Sequence, residues 1–372
     1  LTFHLAREQP KRGDIMILLR TSIVLAVCLA LAGPVASQTV TPLEAGVLAL
    51  QAGDSEKAAS IFAEALRQNP RDPSLQMGSG VAAHMRGRDD EARKFLKRAL
   101  ELEPRYTAAS SLLGEIAYDQ GDVELAIQIY DQALKYARTN VTMASRLKAW
   151  RADAAKERRV DGPFSIAFDG PVEARLATRA STVLDAAYWR IGKGLGAYPS
   201  QPVEVIFYTL KQFRDITGAP EWAAGLFDTR IRIPVQGALA APRSFDRVLT
   251  HELTHAMIAG VAGRGVPAWL HEGLATYFEP ADVPLAEQRW KASRTFIPLD
   301  ALQDGFGRFD GRDARIAYDE SVVAAGILMG HLGSNVVLLL QDLDRGNEFS
   351  VALTRVGFKY ADFEGELKRR LK

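Results

Sequence analysis

The stretch VLTHELTHAMIAG (Val248–Gly260) sets two histidines four residues apart, with a glutamate directly after the first. On a helix, residues four apart share a face, so His251 and His255 can offer ring nitrogens to one ion. Glu252 is turned by about 100° from His251. That puts it beside such an ion but outside its coordination, where a base takes a proton from water. Leu249, Leu253, Ala256 and Met257 gather on the opposite face. One side of the helix suits a core and the other a cleft. An ordinary amphipathic helix with solvated histidines predicts no such division and no further ligand nearby.

A catalytic zinc takes three protein ligands and keeps a fourth position open. The metzincin continuation would require glycine at 258 and histidine at 261, where the chain has Ile258 and Val261, so that branch is excluded. After the loop GVAGRGV (Gly260–Val266) comes PAWLHEGLATYFEP (Pro267–Pro280). Pro267 suits the first turn of a second helix, and Glu272 lies on that helix, seventeen positions beyond His255. Gly273 would permit close approach to the first helix. His271 and Glu279 are rival third ligands. His271 points elsewhere on the helix from Glu272, and Glu279 stands about two turns further on.

HELTH (His251–His255) and WLHEGLA (Trp269–Ala275) together resemble the gluzincin metallopeptidases, the thermolysin-like group, and in particular bacterial peptidase-MA-like domains. Their hallmark is HExxH followed by a second helix reading W-L-x-E-G-x-A. The resemblance runs from about Phe164 to the C-terminus. It implies Zn2+ as cofactor, His251, His255 and Glu272 as its ligands, and Glu252 as general base. AYDESVVAAGILMGHLG (Ala317–Gly333) resembles the family's later helix, with a tyrosine followed by a serine three residues on. Tyr318 is thereby the candidate donor to the tetrahedral oxyanion, with Ser321 behind it. His331 reads as a surface or capping histidine, and His84 is far from the cleft in sequence.

Upstream, PVEVIFY (Pro202–Tyr208) alternates and is rich in β-branched and aromatic residues, the pattern of a strand. TRIRIPV (Thr229–Val235) reads as a second, and Pro234 makes it an edge strand. EWAAGLFD (Glu221–Asp228) resembles the corresponding region of peptidase-MA-like domains. An edge strand there could capture an extended peptide by strand addition.

The first third of the chain repeats with a period of 34 residues. Gly46, Gly80 and Gly114 are so spaced, as are Gly53, Gly87 and Gly121, then Ala58, Ala92 and Ala126. Phe62, Leu96 and Tyr130 hold a large apolar position, followed by Ala65, Ala99 and Ala133 and by Leu66, Leu100 and Leu134. Pro70 and Pro104 close two units, and Arg138 stands in the third. Over about residues 40–140 the pattern resembles the tetratricopeptide repeat. Three stacked units are the minimum that buries a continuous core. SRLKAWRADAAKERR (Ser145–Arg159) reads as a capping helix and linker. Repeats of this kind commonly present a concave surface to a protein partner.

MILLRTSIVLAVCLALAGPVAS (Met16–Ser37) has one basic residue, Arg20, before an apolar run from Ile23 to Ala32. Val35 and Ser37 suit a signal-peptidase site, with cleavage before Gln38. Met16 reads as the start of translation. The sole cysteine, Cys28, falls inside this signal, and Val27 is bulky for a lipoprotein motif. The mature chain then has no disulfide frame and no thiolate ligand. Over the whole chain the net charge is +1; removing Arg7, Lys11, Arg12 and Arg20 with Glu8 and Asp14 leaves −1. A near-neutral chain argues against a nucleic-acid partner, and the mature sequence carries no expected transmembrane segment.

The expected organisation is a signal with upstream residues over 1–37, three repeats over 38–140, a capping helix and linker over 141–160, and a peptidase domain over 161–372. The fold class is an α-solenoid of tetratricopeptide repeats followed by an α+β zincin-like metallopeptidase domain. The expected function is zinc-dependent hydrolysis of peptide bonds in exported proteins or peptides, in the periplasm or outside the cell, with the repeats holding a partner or the substrate. The alternative is a non-catalytic exported scaffold whose zincin domain is degenerate. No charged constellation assigns itself to a substrate terminus, so endo and exo action both stay open.

Overall fold

The computed structural model describes residues 40–217, 224–279 and 283–371. The expected signal, with Arg20, Cys28 and Met16, lies outside the described residues, as do Glu221–Ala223 and Pro280. The described chain divides into two compact units between Ala155 and Lys156.

The first unit is a run of helices: α1 (Pro42–Gln51), α2 (Ser55–Gln68), α3 (Pro73–Met85), α4 (Asp89–Leu102), α5 (Thr107–Asp119), α6 (Val123–Tyr136) and α7 (Val141–Ala154). The 34-residue period is the period of their packing. Gly46, Gly80 and Gly114 lie against Phe62, Leu96 and Tyr130 of the following helix, and a Cβ at any of them would overlap that side chain. Small against large is therefore a steric pairing between successive helices. Asp54, Asp72, Asp122 and Asn140 each accept a hydrogen bond from a first-turn N–H, fixing the starts of α2, α3, α6 and α7. Although Arg138 replaces the proline of the earlier units, Asn140 still begins a new helix. On α7, Trp150 is buried and its ring lies 4.8 Å from Tyr118 and 4.4 Å from Tyr130. The Tyr118 hydroxyl donates to Asp153 at 2.6 Å.

In the second unit, residues expected to end a linker instead form β1 (Glu157–Asp161), antiparallel to β2 (Phe164–Phe168). The ladder to β2 draws this segment into the sheet and sets the division ahead of residue 160. The sheet continues through β3 (Val203–Tyr208), β5 (Ile231–Pro234) and β4 (Leu226–Phe227) in the order β1-β2-β3-β5-β4. β2, β3 and β5 run parallel, while β4 runs antiparallel to β5. The long helices α8 (Gly170–Leu195) and α10 (Pro242–Val261) pack together. They share one core with Phe164, Ile166, Val205, Phe207, Ile231 and Ile233. A smaller cluster holds Ile206 and Tyr208 with Phe213 of α9 (Leu210–Thr217). On β5 the pleat sends Ile231 and Ile233 into the main core. Arg230 and Arg232 alternate with them. Arg230 bonds Glu204, and Arg232 bonds the Tyr208 hydroxyl at 2.7 Å and Asp228 at 2.8 Å.

The expectation that Thr229–Val235 is the edge strand is therefore corrected: β5 is internal and β4 is the edge. Proline is tolerated because β4 pairs only with Ile231 and Arg232, leaving no ladder partner beside Pro234 on that side.

Downstream lie α11 (Ala268–Tyr277), α12 (Val283–Ser293), α13 (Gly311–Leu332), α14 (Val336–Asp344), α15 (Phe349–Arg355) and α16 (Tyr360–Leu371). Within the segment Gly311–Asp344 the most apolar 18-residue window has a mean hydropathy of 1.8, long and apolar enough by length and composition to cross a membrane. In this fold Val323, Ala324, Leu328 and Leu339 of that segment belong to the main core.

Glu320 on α13 is fully buried. Its Oε2 accepts from Trp290 Nε1 at 3.1 Å and from Ile297 N at 2.9 Å, while Oε1 has no hydrogen-bond partner among the described residues. Burial pushes this carboxyl up to about 7, against the opposing pull of those two donors. The folded chain thus binds this proton more tightly than the unfolded chain, so the stabilisation is full below about 4.5 and is lost as pH rises through about 7. Ionised burial then costs roughly 3 kcal/mol. Glu320→Gln is expected to raise the melting temperature above the parent's at pH 8, with the gap closing toward pH 4.5; thermal unfolding across that range checks it.

Candidate metal centre

α10 begins with Pro242 in its first turn and presents His251, Glu252 and His255 in sequence. α11 follows Pro267, whose carbonyl accepts from Leu270 and His271 N–H groups, and carries Glu272. The two helices pack against each other. His251 Nε2 and His255 Nε2 stand 3.0 Å apart. Glu272 Oε2 lies 3.4 Å from the first and Glu272 Oε1 3.7 Å from the second. One donor atom from each of the three residues fits within 4.8 Å of the others.

Those separations permit a test of fit. Four donors about 2.0–2.1 Å from a tetrahedral zinc lie about 3.3 Å apart. The two nitrogens are 3.0 Å apart, and the Glu272 carboxylate comes within 3.4 Å of one through Oε2 and 3.7 Å of the other through Oε1, all near that value. Two imidazole nitrogens and a carboxylate are also the chemistry zinc takes. The residues present fit the ion.

The far sides of the rings are occupied as well. His251 Nδ1 is 2.7 Å from Glu279 Oε1, and Glu279 is in turn 3.6 Å from Arg247. His255 Nδ1 is 2.6 Å from His271 Nδ1. Both rivals for the third ligand thus sit behind the rings, each on the nitrogen facing away from the convergence point. An Nδ1–H donated to such a partner leaves the Nε2 lone pair for a metal, which fixes both tautomer and ring orientation.

Burial opposes a charge on His251, but hydrogen bonds that its ring donates to Glu272 and Glu279, with the charges of Glu272 and Glu252, raise its pKa to about 9. Three carboxylates around two imidazoles make this a buried pocket built for positive charge. Glu252, next to His251 on α10, is itself buried.

Gly273 was expected to admit the first helix. Instead a Cβ there would overlap the Ser321 carbonyl of α13, so the glycine serves the α11–α13 crossing. That crossing holds Glu272 in place. Ser321 is fully buried and donates to its own helix at Ala317 O, 2.7 Å away. Tyr318, one turn earlier, is half-buried with its ring edge-on to Phe306 at 4.6 Å. His331 pairs with Glu366 at 2.8 Å and His84 with Asp89 at 2.7 Å, both in other surroundings.

The roles of His271 and Glu279 lay beyond sequence reading because helical spacing gives a direction and not the ring nitrogen it meets. The one available signal was their closeness to Glu272 in the chain, His271 on α11 and Glu279 just past its end.

The family model of the Peptidase MA superfamily matches residues 183–372, just over half of the chain, and the chain belongs to that superfamily. Two tetratricopeptide-repeat models match residues 43–104 and 86–150. No curated protein matches the chain. The chain therefore joins tetratricopeptide repeats, an architecture that generally mediates protein–protein interaction, to a domain of a generally metal-dependent peptidase superfamily.

Loss of the groups behind the rings is expected to weaken zinc without removing a donor atom. Glu279→Ala and His271→Ala should each lower zinc affinity about 10–100-fold, measured by competition with a chromophoric chelator, while Glu279→Gln and His271→Asn, which keep an acceptor, recover part of it.

Proposed function

We propose that the protein is a zinc-dependent peptidase of the gluzincin type acting on exported proteins or peptides. The observation that carries the reading is the convergence of His251, His255 and Glu272 on one point, at spacings that suit zinc, with Glu252 beside them on α10. His251, His255 and Glu272 would hold the ion. When bound, zinc supplies Lewis acidity, polarising a carbonyl and lowering the pKa of water.

The chain's own groups do the rest. Glu252 takes the proton of the attacking water and returns it to the leaving amine as the peptide bond breaks. Its burial keeps that proton from exchanging freely with solvent. Tyr318 donates to the developing oxyanion. Glu279 and His271 hold the two imidazoles in the orientation the ion needs. β4, the outermost strand among the described residues, offers an edge on which an extended substrate backbone can add a strand. The repeats hold a protein partner or the substrate itself. A secretory signal over residues 1–37 would send this activity to the periplasm or the cell exterior.

Zinc per chain by elemental analysis, with cleavage of unfolded casein, tests the reading. The parent is expected to hold close to one zinc and Glu272→Ala to lose it. Glu252→Gln should retain zinc and lose turnover by about 100-fold or more. Tyr318→Phe should retain zinc and lower kcat about 100-fold. A parent that binds no zinc when offered it sinks the proposal. A zinc-loaded Glu252→Gln variant as active as the parent would instead favour an ion with a role other than hydrolysis.

A further inference from the structure

Gly225 immediately precedes β4, the outermost strand of the sheet. A Cβ at this position would stand 2.8 Å from Val248 Cγ1, 3.0 Å from Glu252 Cγ and 3.1 Å from Glu252 Oε1. Separations this short between carbon atoms are repulsive, so the bare backbone of residue 225 lies directly on the Glu252 side chain. Its φ is outside the left-handed region. The need for glycine here is one of space, not of backbone conformation.

The turn that follows the strand is tied down. Asp228 Oδ1 accepts from Thr229 N at 2.7 Å and Arg230 N at 3.1 Å, and Asp228 Oδ2 accepts from Arg232 Nε at 2.8 Å. Burial raises the Asp228 carboxyl, but Arg232 and the two N–H groups more than offset this and hold it below its usual range. The β4–β5 turn is thereby tied to β5, which is in turn paired along β3. From the other side Val248 and Glu252 project from α10, one turn apart. The Glu252 side chain lies between α10 and the start of a strand whose following turn is tied to β5.

We propose that Gly225 is a positioning residue for Glu252: the absence of a side chain at 225 sets where the carboxylate stands. The catalytic part of this inference rests on the peptidase reading above. Any side chain at 225 pushes the base along α10 while leaving the metal donors alone, since none of the three atoms nearest such a Cβ belongs to His251, His255 or Glu272. Glycine at 225 thus separates two properties of the site that the HExxH stretch joins, holding the ion and using it.

The test uses the mature full-length protein with Gly225→Ala, Glu252→Ala, Val248→Ala and their pairwise combinations with Gly225→Ala. Three quantities are read: zinc per chain, melting temperature, and kcat and KM on unfolded casein. Gly225→Ala is expected to keep its zinc and to lower kcat about 100-fold, the scale of an ångström-sized misplacement, with KM within about twofold of the parent. It should lower the melting temperature by about 5 °C. That drop should shrink by at least half when Glu252 is already alanine, because groups in contact are energetically coupled. Removing the second contact with Val248→Ala should not restore kcat.

An unchanged kcat, a rise in KM alone, full rescue by Val248→Ala, or the same melting drop with and without the Glu252 side chain each overturns the proposal. If the zinc-loaded parent does not cleave casein, the peptidase reading fails separately. The melting-temperature cycle then still decides whether residue 225 sets Glu252, coupling supporting it and additivity overturning it.

Discussion

Two imidazole nitrogens held 3.0 Å apart in a buried pocket repel each other unless a cation or a proton lies between them. The fold invests in keeping them there. His251 and His255 are on adjacent turns of α10, but helical spacing alone lets each ring swing about its side-chain torsions. Glu279 and His271, both reached through α11, hold the back of each ring. The convergence point therefore exists only while α10 and α11 keep their register, and much of the second unit serves that register. Core packing secures α10 against α8 and β5, and the Gly273–Ser321 approach sets α11 against α13.

The two units illustrate different routes from sequence to structure. In the first, a local rule repeated at fixed period is enough: a small residue on one helix under a large one on the next, with a side-chain cap at most starts. The same rule explains why the third unit keeps its helix break without proline, since Asn140 supplies the cap. In the second unit the decisive contacts are between residues far apart in the chain, such as Ala268 N with Gln303 O and Arg190 with the Phe278 carbonyl.

That contrast also explains what could be read in advance. The repeat, the strands around Val203–Tyr208 and Ile231–Pro234, the helix of HELTH and the second helix of WLHEGLA are all legible because their signals are local patterns. The edge was misassigned because proline in a strand tells only that one flank lacks a ladder bond. Which flank, and over how many residues, depends on the length of β4, only Leu226–Phe227. Gly273 was read as serving the first helix because both neighbours lie near it in the chain or in the motif, while its actual partner, Ser321, is 48 positions away in the sequence. His271 and Glu279 are ligand-type residues, and nothing in their spacing distinguishes a ring partner from a metal donor. Glu320 gave no signal at all, since a carboxylate inside an acidic stretch such as AYDES ordinarily faces water.

His271 and Glu272 are consecutive residues on α11, one braced against a histidine ring and the other facing the shared donor point. Because one peptide unit carries both tasks, an insertion or deletion in the loop before α11 is tolerable only if the helix keeps its rotation; a one-residue slip would misplace ligand and brace together. The two tasks cannot be traded one against the other. Decay of such a site also need not begin in its recognisable letters. A paralogue could retain HELTH and WLxEGLA intact and still be silent through changes at 271, 279 or the chain above Glu252, so an unbroken motif is a weaker certificate of activity than the motif with its surroundings.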